Sequence, residues 1–598
     1  MRYFNIIGIL IVFTYLGSKL YLVDKFEPEY QMAENSPSHV ILNNNWVATD
    51  GAGRRLPTSV ETGPARSNKY VGIFYFLWHG AYKGAVYDIS KLLRANPVHP
   101  AYGPKGAFHW WGEPEAGYYK ADDPWIIRRN LQMLTNAGID ILFMDVTNRD
   151  TYLQTLIKLC AISADMRRQG QKTPYICFVT NSNPKETIAD LYNNFYAKNQ
   201  YPDLWFRWEG KPLILGKQEE IGEPTQRNFF TWRFSWQFTE AKSQPGHWQW
   251  FDSTPQDYGW VNDPNKPEEI PVAAASHPIF GVGKSSSNGQ QRPLNRYLTT
   301  TSTNVGLYFA EQWKRALAVD PSVVFVTGWN EWIAQRFIAD TNDRSMVLKS
   351  FINHKMQHGE TFFQDEYNEE FNRDIEPMKG GYTDNYYYQL VANVRRFKGL
   401  NPEETATPSR TMSIDGKFDE WASVKPVFND LQGDVAHRDW PRYDNKLRLT
   451  NITGRNDIIE SRTTHDKNSI YFYSKTAKPL TTPNGRNWML LFIDVDQSKK
   501  TGWEGYDIII NRQVSPNGQT SIDRWSKGRW QSIGKANYKA VGNRMEISIP
   551  KKVFNFTSIP KFDFHWADNI EKLNDITQFF INGDSAPDRR FNYRYIGR

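Results

Sequence analysis

The run Val323-Val324-Phe325-Val326-Thr327-Gly328-Trp329-Asn330-Glu331-Trp332 decides how this chain folds. Its first half is β-branched and aromatic with no polar alternation, which predicts a strand covered on both faces, as in a parallel sheet. Its second half delivers an amide and a carboxylate flanked by indoles to the strand's C-terminal end. Seven runs of the same kind precede it, at Tyr70 to Trp78, Ile139 to Val146, Tyr175 to Thr180, Pro212 to Gly216, Trp232 to Gln237, Trp248 to Asp252 and Ile270 to Ala275. Helical periods separate several of them, over Pro124 to Ala137, Tyr152 to Arg168, Lys185 to Lys198 and Val305 to Val319, and a closing helix is expected over Asn385 to Phe397. Eight strands between Tyr70 and Trp332 fit the ~250 residues of an α/β fold of the (β/α)8 TIM-barrel type. An open, doubly wound sheet is the runner-up.

The full chain of 598 residues has room for several domains. Lys and Arg total 72 against 65 Asp and Glu, a net charge of +7 without a long basic run, so nucleic acid is not an expected partner. A hydrophobic share of 40% with a mean hydropathy of −0.63 excludes a multi-pass membrane protein. The 22 Trp, 31 Tyr and 35 Phe exclude ordinary disorder and suit a protein that stacks on sugar rings. Cys160 and Cys177 are too few for a disulfide framework or a structural zinc site and read as buried thiols. At the N-terminus, Arg2 precedes an apolar run from Phe4 to Leu16, shorter than the ~20 residues of a comfortable span. That pattern predicts an export signal within 1–23, with an uncleaved anchor as the alternative, and hence a periplasmic, extracellular or cell-surface location.

Residues 24–69 are polar and proline-broken and read as a leader. The barrel is expected over 70–398, a polar linker over 399–410, and a second domain over 411–598. There the runs Ser469 to Ser474, Trp488 to Val495, Tyr506 to Asn511 and Arg544 to Ile549 alternate over short spans, which predicts an all-β antiparallel sandwich.

A barrel presents its reactive groups at the C-terminal ends of its strands. Those ends carry His79, Asp145, Asn181, Gln237, Asp252, His277 and the pair Asn330-Glu331, with Trp236, Trp329 and Trp332 beside them. Glu331 between indoles is the leading catalytic acid, because desolvation raises a carboxyl towards general-acid duty. Asp145, two strands away, is the expected partner, since glycoside hydrolysis ordinarily uses two carboxyl groups facing one bond. The segment Phe108 to Tyr119 reads as a loop in which His109, Trp110 and Trp111 form a substrate wall and Glu113 is a reserve acid. Gly281 to Gly289 lacks the spacing of a phosphate-binding loop and reads as a cleft lip. Of the acids between Asp365 and Glu376, most are expected in solvent and one or two in the cleft.

With Trp329-Asn330-Glu331-Trp332 after an aromatic first strand, the barrel resembles the endo-α-mannosidase type of glycoside hydrolase. The resemblance implies a catalytic role for Glu331 and asks for a second Glu three residues on, where this chain has Ala334. That departure leaves Asp145, Glu113 or a residue of the Asp365 to Glu376 loop as the replacement. The tail, through Ser413 to Trp421, Phe492 to Asp496 with Thr501 to Asp507, and Met545 to Pro550, is similar to the family-nine type of carbohydrate-binding β-sandwich. That likeness implies sugar binding, with Trp503, Trp525 and Trp530 as platforms or core, and a structural calcium held by Asp494, Asp496 and Asp507.

The reading is therefore an exported glycoside hydrolase acting on a carbohydrate, with no cofactor required for catalysis and no protein partner implied. Its rivals are a non-catalytic glycan-binding protein and a membrane-retained enzyme of polysaccharide assembly.

Overall fold

The computed structural model describes residues 45–82, 84–237, 244–275, 282–288, 290, 301–340, 357–363, 366–483, 487–556 and 558–598, with Trp236, Gln237 and Thr301 described by their backbone alone. The expected export signal and the start of the leader lie outside them. All eight expected barrel strands form: β1 Tyr70–Tyr75, β2 Ile141–Asp145, β3 Tyr175–Val179, β4 Lys211–Leu215, β5 Thr231–Gln237, β6 His247–Phe251, β7 Glu269–Ala273 and β8 Val323–Thr327. They pair in parallel in the order β6-β5-β4-β3-β2-β1-β8-β7.

The two end strands meet through side chains. Glu269 accepts a hydrogen bond from the Gln249 backbone N–H at 3.0 Å, and Trp248 Nε1 donates to Glu268 at 2.7 Å. Burial pushes the Glu269 carboxyl well above the usual carboxylate range. The result is a nearly closed (β/α)8 barrel.

Among the described residues, the helices around it include α1 Pro124–Ala137, α2 Leu153–Arg168, α3 Pro184–Leu191, α4 Pro224–Phe229, α5 Leu307–Val319 and α6 Asn385–Lys398. Asp123 caps α1 by accepting from Trp125 N at 3.0 Å, Pro124 opens its first turn, and Gly138 ends it at φ 78°. The ring of helices closes where Tyr387 of α6 donates to the Met133 carbonyl of α1 at 2.9 Å.

The barrel interior is aromatic, and one glycine makes room for it. Phe143 of β2 stacks on Phe325 of β8 at 4.0 Å, passing over Gly72 of the intervening β1. A Cβ on Gly72 would lie 2.1 Å from the Phe143 ring. Phe74, two residues on, reaches Phe325 at 5.7 Å and Trp250 of the distant β6 at 5.9 Å, which identifies this face as the inside. By the two-residue period of a strand, Asp145 shares the inner face of Phe143.

Above the C-terminal mouth, Phe108–Trp110 pairs antiparallel with Ile333–Ile338, which also pairs with Thr361–Phe363. The expectation of a loop over 108–119 is thus corrected at its start, because Trp110 ends a strand.

The C-terminal domain contains β9 Val427–Asn429, β10 Ile458–His465, β11 Ser469–Thr476, β12 Leu490–Asp494, β13 Ile508–Ser515, β14 Gln519–Ser526, β15 Arg529–Val541, β16 Arg544–Pro550, β17 Lys561–Asp568, β18 Asp584–Ala586 and β19 Tyr593–Ile596. They form one antiparallel sheet in the order β9-β10-β11-β16-β15-β14-β13-β12-β17-β18, with β19 also on β17. The sheet folds over on itself: Trp566 of β17 donates to Ser461 of β10 at 3.0 Å, and Phe472 of β11 meets Phe562 and Phe564 of β17. Trp503 and Trp530 are buried with Phe492, Tyr506 and Phe579 in a small core, so of the three candidate platforms only Trp525 keeps substantial surface.

The two domains are joined tightly. Arg589, 1% exposed, makes a bidentate pair with Glu115 at 2.7 and 2.9 Å, and Arg438 pairs with Asp123 at 2.8 Å. The described part of the leader belongs to this seam: Trp46 packs on Phe591 at 5.4 Å, and Val47 N–H donates to Asn592 at 2.9 Å.

Candidate active site

Glu331 reaches the barrel mouth because the chain beyond β8 is fastened to β1. The Trp329 N–H donates to Phe74 O at 2.8 Å, and the Asn330 amide accepts from Phe76 N at 2.9 Å and donates to Phe76 O at 3.1 Å. Asn330 thus extends the β8–β1 pairing with its side chain. The register that pairs Tyr75 with Met144 sets Phe76 level with Asp145, so Glu331 and Asp145 leave the mouth on opposite sides of β1.

A second segment completes the site. Residues 366–376, Glu-Tyr-Asn-Glu-Glu-Phe-Asn-Arg-Asp-Ile-Glu, are buried throughout although they form no helix or strand. The expectation that most of these acids lie in solvent is corrected: Glu366, Glu369, Glu370, Asp374 and Glu376 are all at most 1% exposed. Asp365 lies outside the described residues. Arg373 from this segment ion-pairs with Glu331 and lies 3.2 Å from Glu366, with its guanidinium 5.6 Å from the Trp250 ring that lines the barrel interior. Burial pushes Glu366 well above the usual carboxylate range, opposed by Arg373 and reinforced by Glu331 and Asp374.

Asp374 accepts from the Glu331 N–H at 2.6 Å and from Trp111 Nε1 at 2.7 Å; burial pushes it up to about 6 against those donors, Lys284 and Arg373. Glu376 accepts from Tyr119 and from Trp332 Nε1, both at 2.5 Å, and burial pushes it up to about 7. Lys284 is fully buried, donates to Asp374 O at 2.8 Å, and stands 3.8 and 4.1 Å from the Tyr382 and Tyr386 rings. Burial lowers it to about 7. Residues 283–286 of the supposed cleft lip are therefore interior, with Ser285 donating to Glu370, while Asn288 is exposed.

The other sequence candidates divide sharply. Trp110, Trp111, Trp329 and Trp332 have no exposed surface. Trp111 stacks on Trp332 at 4.3 Å, and both turn their N–H groups to buried acids. The expected substrate wall of Trp110 and Trp111 is corrected, and Trp329 and Trp332 likewise offer no free face to a sugar, because all four are consumed by packing. His109 is fully buried, accepts from Gly103 N at 3.0 Å and stacks on Tyr87 at 4.8 Å, and burial lowers it to about 4. It braces the small sheet. His79 is buried between Trp110 and Tyr119 and lowered to about 3 by burial, a neutral imidazole.

Glu113 lies in ion pairs with Lys91 and with Lys379, the latter at 3.2 Å; against the effect of burial, they hold its carboxyl below its ordinary value, the wrong direction for a reserve acid. Asn181 is exposed beyond β3. The side chains of Trp236 and Gln237, and all of His277, lie outside the described residues.

Asp145 accepts from Thr147 N at 3.0 Å and Thr147 Oγ1 at 2.7 Å. Its charge reaches Tyr82 and Tyr152, which with Arg149, Asp150, Glu186 and Asp190 line a groove of about 580 Å3, all on segments that follow β1, β2 and β3. The groove's polar, partly aromatic lining suits a polyhydroxylated ligand.

In the C-terminal domain, one carboxylate oxygen each of Asp494, Asp496 and Asp507 lies within 4.8 Å of the others, as a cation site requires. Burial, then Asp563 and Asp507, push Asp494 up to about 8, the repulsion that a hard divalent ion would relieve.

Sequence reasoning missed Glu366, Arg373, Asp374, Glu376 and Lys284 as one unit. The available signal was the interleaving of acids with Tyr367, Phe371, Ile375 and the amides Asn368 and Asn372, an unusual composition for a solvated loop.

No family model matches the chain, and no curated protein does. Two solved structures of the GH99 endo-alpha-mannosidase from Bacteroides thetaiotaomicron, one in complex with bis-tris-propane, are similar to it at 16% identity and a TM-score of 0.32, covering 55% of this chain and 97% of theirs.

Proposed function

We propose that this chain is an exported glycoside hydrolase whose carboxyl groups work at the C-terminal mouth of the barrel. The observation that carries this reading is the meeting of Glu331 and Glu366 on Arg373, one carboxyl ion-paired and its neighbour held in the acid form. The proton held on Glu366 passes to the Glu331 carboxylate and from Glu331 to the glycosidic oxygen, which leaves Glu366 ionised. Asp145, fixed by Thr147 and facing inwards across β1, is the opposing carboxylate, which attacks the anomeric carbon or takes the proton of an attacking water. The sugar chain runs through the groove at Tyr82 and Tyr152, and Asp374, Glu376 and Lys284 hold the acids in place.

The test is product release from a panel of plant, fungal and host polysaccharides by the purified chain and by E331Q, E366Q and D145N. Activity present in the parent and lost in all three, with each variant still folded, supports the reading. Activity of E331Q within a few-fold of the parent overturns it.

One observation favours a second reading. Ala334, where the endo-α-mannosidase resemblance asks for a second Glu, is buried in an apolar cluster with Ile89, Leu93, Phe363 and Phe371. A barrel that binds glycans without cutting them would tolerate that loss. Oligosaccharide binding by calorimetry, with no product from any substrate, is its signature.

A further inference from the structure

A second group of acids, buried or half-buried, lies where the sandwich meets α1. Asp430 and Asp434 follow β9, Asp457 precedes β10, Asp584 opens β18, and Asp588 comes two residues after it. One carboxylate oxygen each of Asp434, Asp457 and Asp584 lies within 4.8 Å of the others. Each of the three also accepts one bond that fixes it: Asp434 from Gln132 of α1 at 3.1 Å, Asp457 from Gly433 N at 2.9 Å, and Asp584 from Ile458 N at 2.6 Å. The second oxygens of Asp434 and Asp457 are buried without a hydrogen-bond partner.

An independent side chain points to the same place. Asp430 is 1% exposed, neither of its carboxyl oxygens has a hydrogen-bond partner, and the charges that face it are those of Asp434, Asp584 and Asp588. Leaving such a group buried and unpaired costs several kcal/mol or forces a proton onto it.

Among the described residues, no Arg or Lys forms an ion pair with these acids, although Arg128, Arg129 and Arg589 line the same cavity. Arg128 faces Asp434 and Asp457 but donates to Gln432 O and, at 3.0 Å, to Gln169; Lys478 faces Asp457. Arg129 and Arg589 face Asp588, yet both are ion-paired with Glu115. Between the acids and α1 lies a cavity of about 70 Å3 lined by Asp434, Asp584 and Asp588 with Asn451 and Gln132, and also by Arg128, Arg129 and Arg589. That is room for an ion with a water, given ~30 Å3 per water.

We propose that Asp434, Asp457 and Asp584, backed by Asp430, bind one hard divalent cation of the calcium class at the seam between barrel and sandwich. An all-oxygen donor set drawn from separate loops matches that class and disfavours soft metals. The ion ties the loops before β10 and β18 to the underside of α1, so its binding free energy stabilises the docking of the two domains. It is separate from the Asp494, Asp496 and Asp507 trio, which is built on the β12–β13 end of the sheet.

The test uses the full chain, stripped with EDTA and dialysed against CaCl2 and, in parallel, MgCl2. Bound ions per chain and thermal melting are measured for the parent, D434N/D584N and D457N. The expected result is that both variants bind one ion fewer than the parent and lose a calcium-dependent rise in Tm of several degrees. In EDTA, where only repulsion remains, D434N/D584N melts at or above the parent. Should the double variant fail to fold, D457N carries the same comparison. Equal numbers of bound ions in parent and variants, or no ion bound by the parent, overturns the proposal.

Discussion

The barrel mouth and the domain seam both bury several carboxylates, and they balance them differently. At the mouth the chain supplies its own cations: Arg373 lies between Glu331 and Glu366, and Lys284 sits beneath Asp374. At the seam Arg129 and Arg589 are ion-paired with Glu115, Arg128 faces Asp434 and Asp457 without an ion pair to either, and Asp430 faces other acids. A buried acid group with built-in cations can keep one carboxyl charged and its neighbour protonated at neutral pH, which is what acid–base chemistry needs. One without them takes up protons or an ion from solution. On the proposed reading, the contrast separates a reacting site from a structural one by charge balance.

The largest expected effect breaks the balance at the mouth. R373M leaves Glu331 and Glu366 without their cation and should cost about 3–5 kcal/mol in urea unfolding, the range for removing one partner of a buried pair. A cost under about 1 kcal/mol would show that the pairing is not what holds segment 366–376 in place.

At the seam, the corresponding operation is chelation. Calcium at about a hundred times its dissociation constant should stabilise the parent by about 2.7 kcal/mol over the EDTA-treated chain. R373M should retain that increment in full, and a variant that lost it would mean the two acid groups are not independent.

A pH series sharpens the comparison further. Glu376 is raised from 4.5 to about 7 on folding, so its contribution is present below 4.5 and lost as pH rises through 7. Lys284, lowered from 10.5 to about 7, contributes in the opposite sense: its share is present above 10.5 and lost as pH falls through 7. E376Q should therefore match the parent near pH 4.5 and exceed it by about 1–3 kcal/mol at pH 8. Parallel stability curves for the two would contradict the assignment of a protonated, buried Glu376.

The smallest effect concerns the scaffold common to both. G72A introduces a methyl where the Phe143 ring passes and should cost about 1–3 kcal/mol, with the number of bound ions unchanged.

The sequence was legible where burial and chemistry coincide. Runs such as Val323–Thr327 and Ile141–Asp145 are apolar on both faces because both faces are covered, so all eight strands and the closing helix could be read directly. Glu331 was visible because an apolar strand leads straight to it. The indoles around it were misread, since a Trp beside an acid looks the same in sequence whether it offers its face to a sugar or, like Trp111 and Trp332, its N–H to a carboxylate. Segment 366–376 was misread for a related reason. Five acids in a stretch without periodicity look solvated, and only the fold shows that Arg373, Lys284 and the Trp111, Trp332 and Tyr119 donors compensate several of them. Distance along the chain hid the seam altogether, because Asp434, Asp457 and Asp584 share no local pattern.

The most direct test of the central claim is the rate of reducing-end release from a substrate that the parent cleaves, measured for the parent and E331Q alongside calorimetric binding of the same glycan. The account predicts a fall of about 10²–10⁴-fold for E331Q with binding retained, the usual yield of a positioned acid–base group. Hydrolysis by E331Q within a few-fold of the parent, or binding by the parent with no cleavage of any glycan, would contradict it.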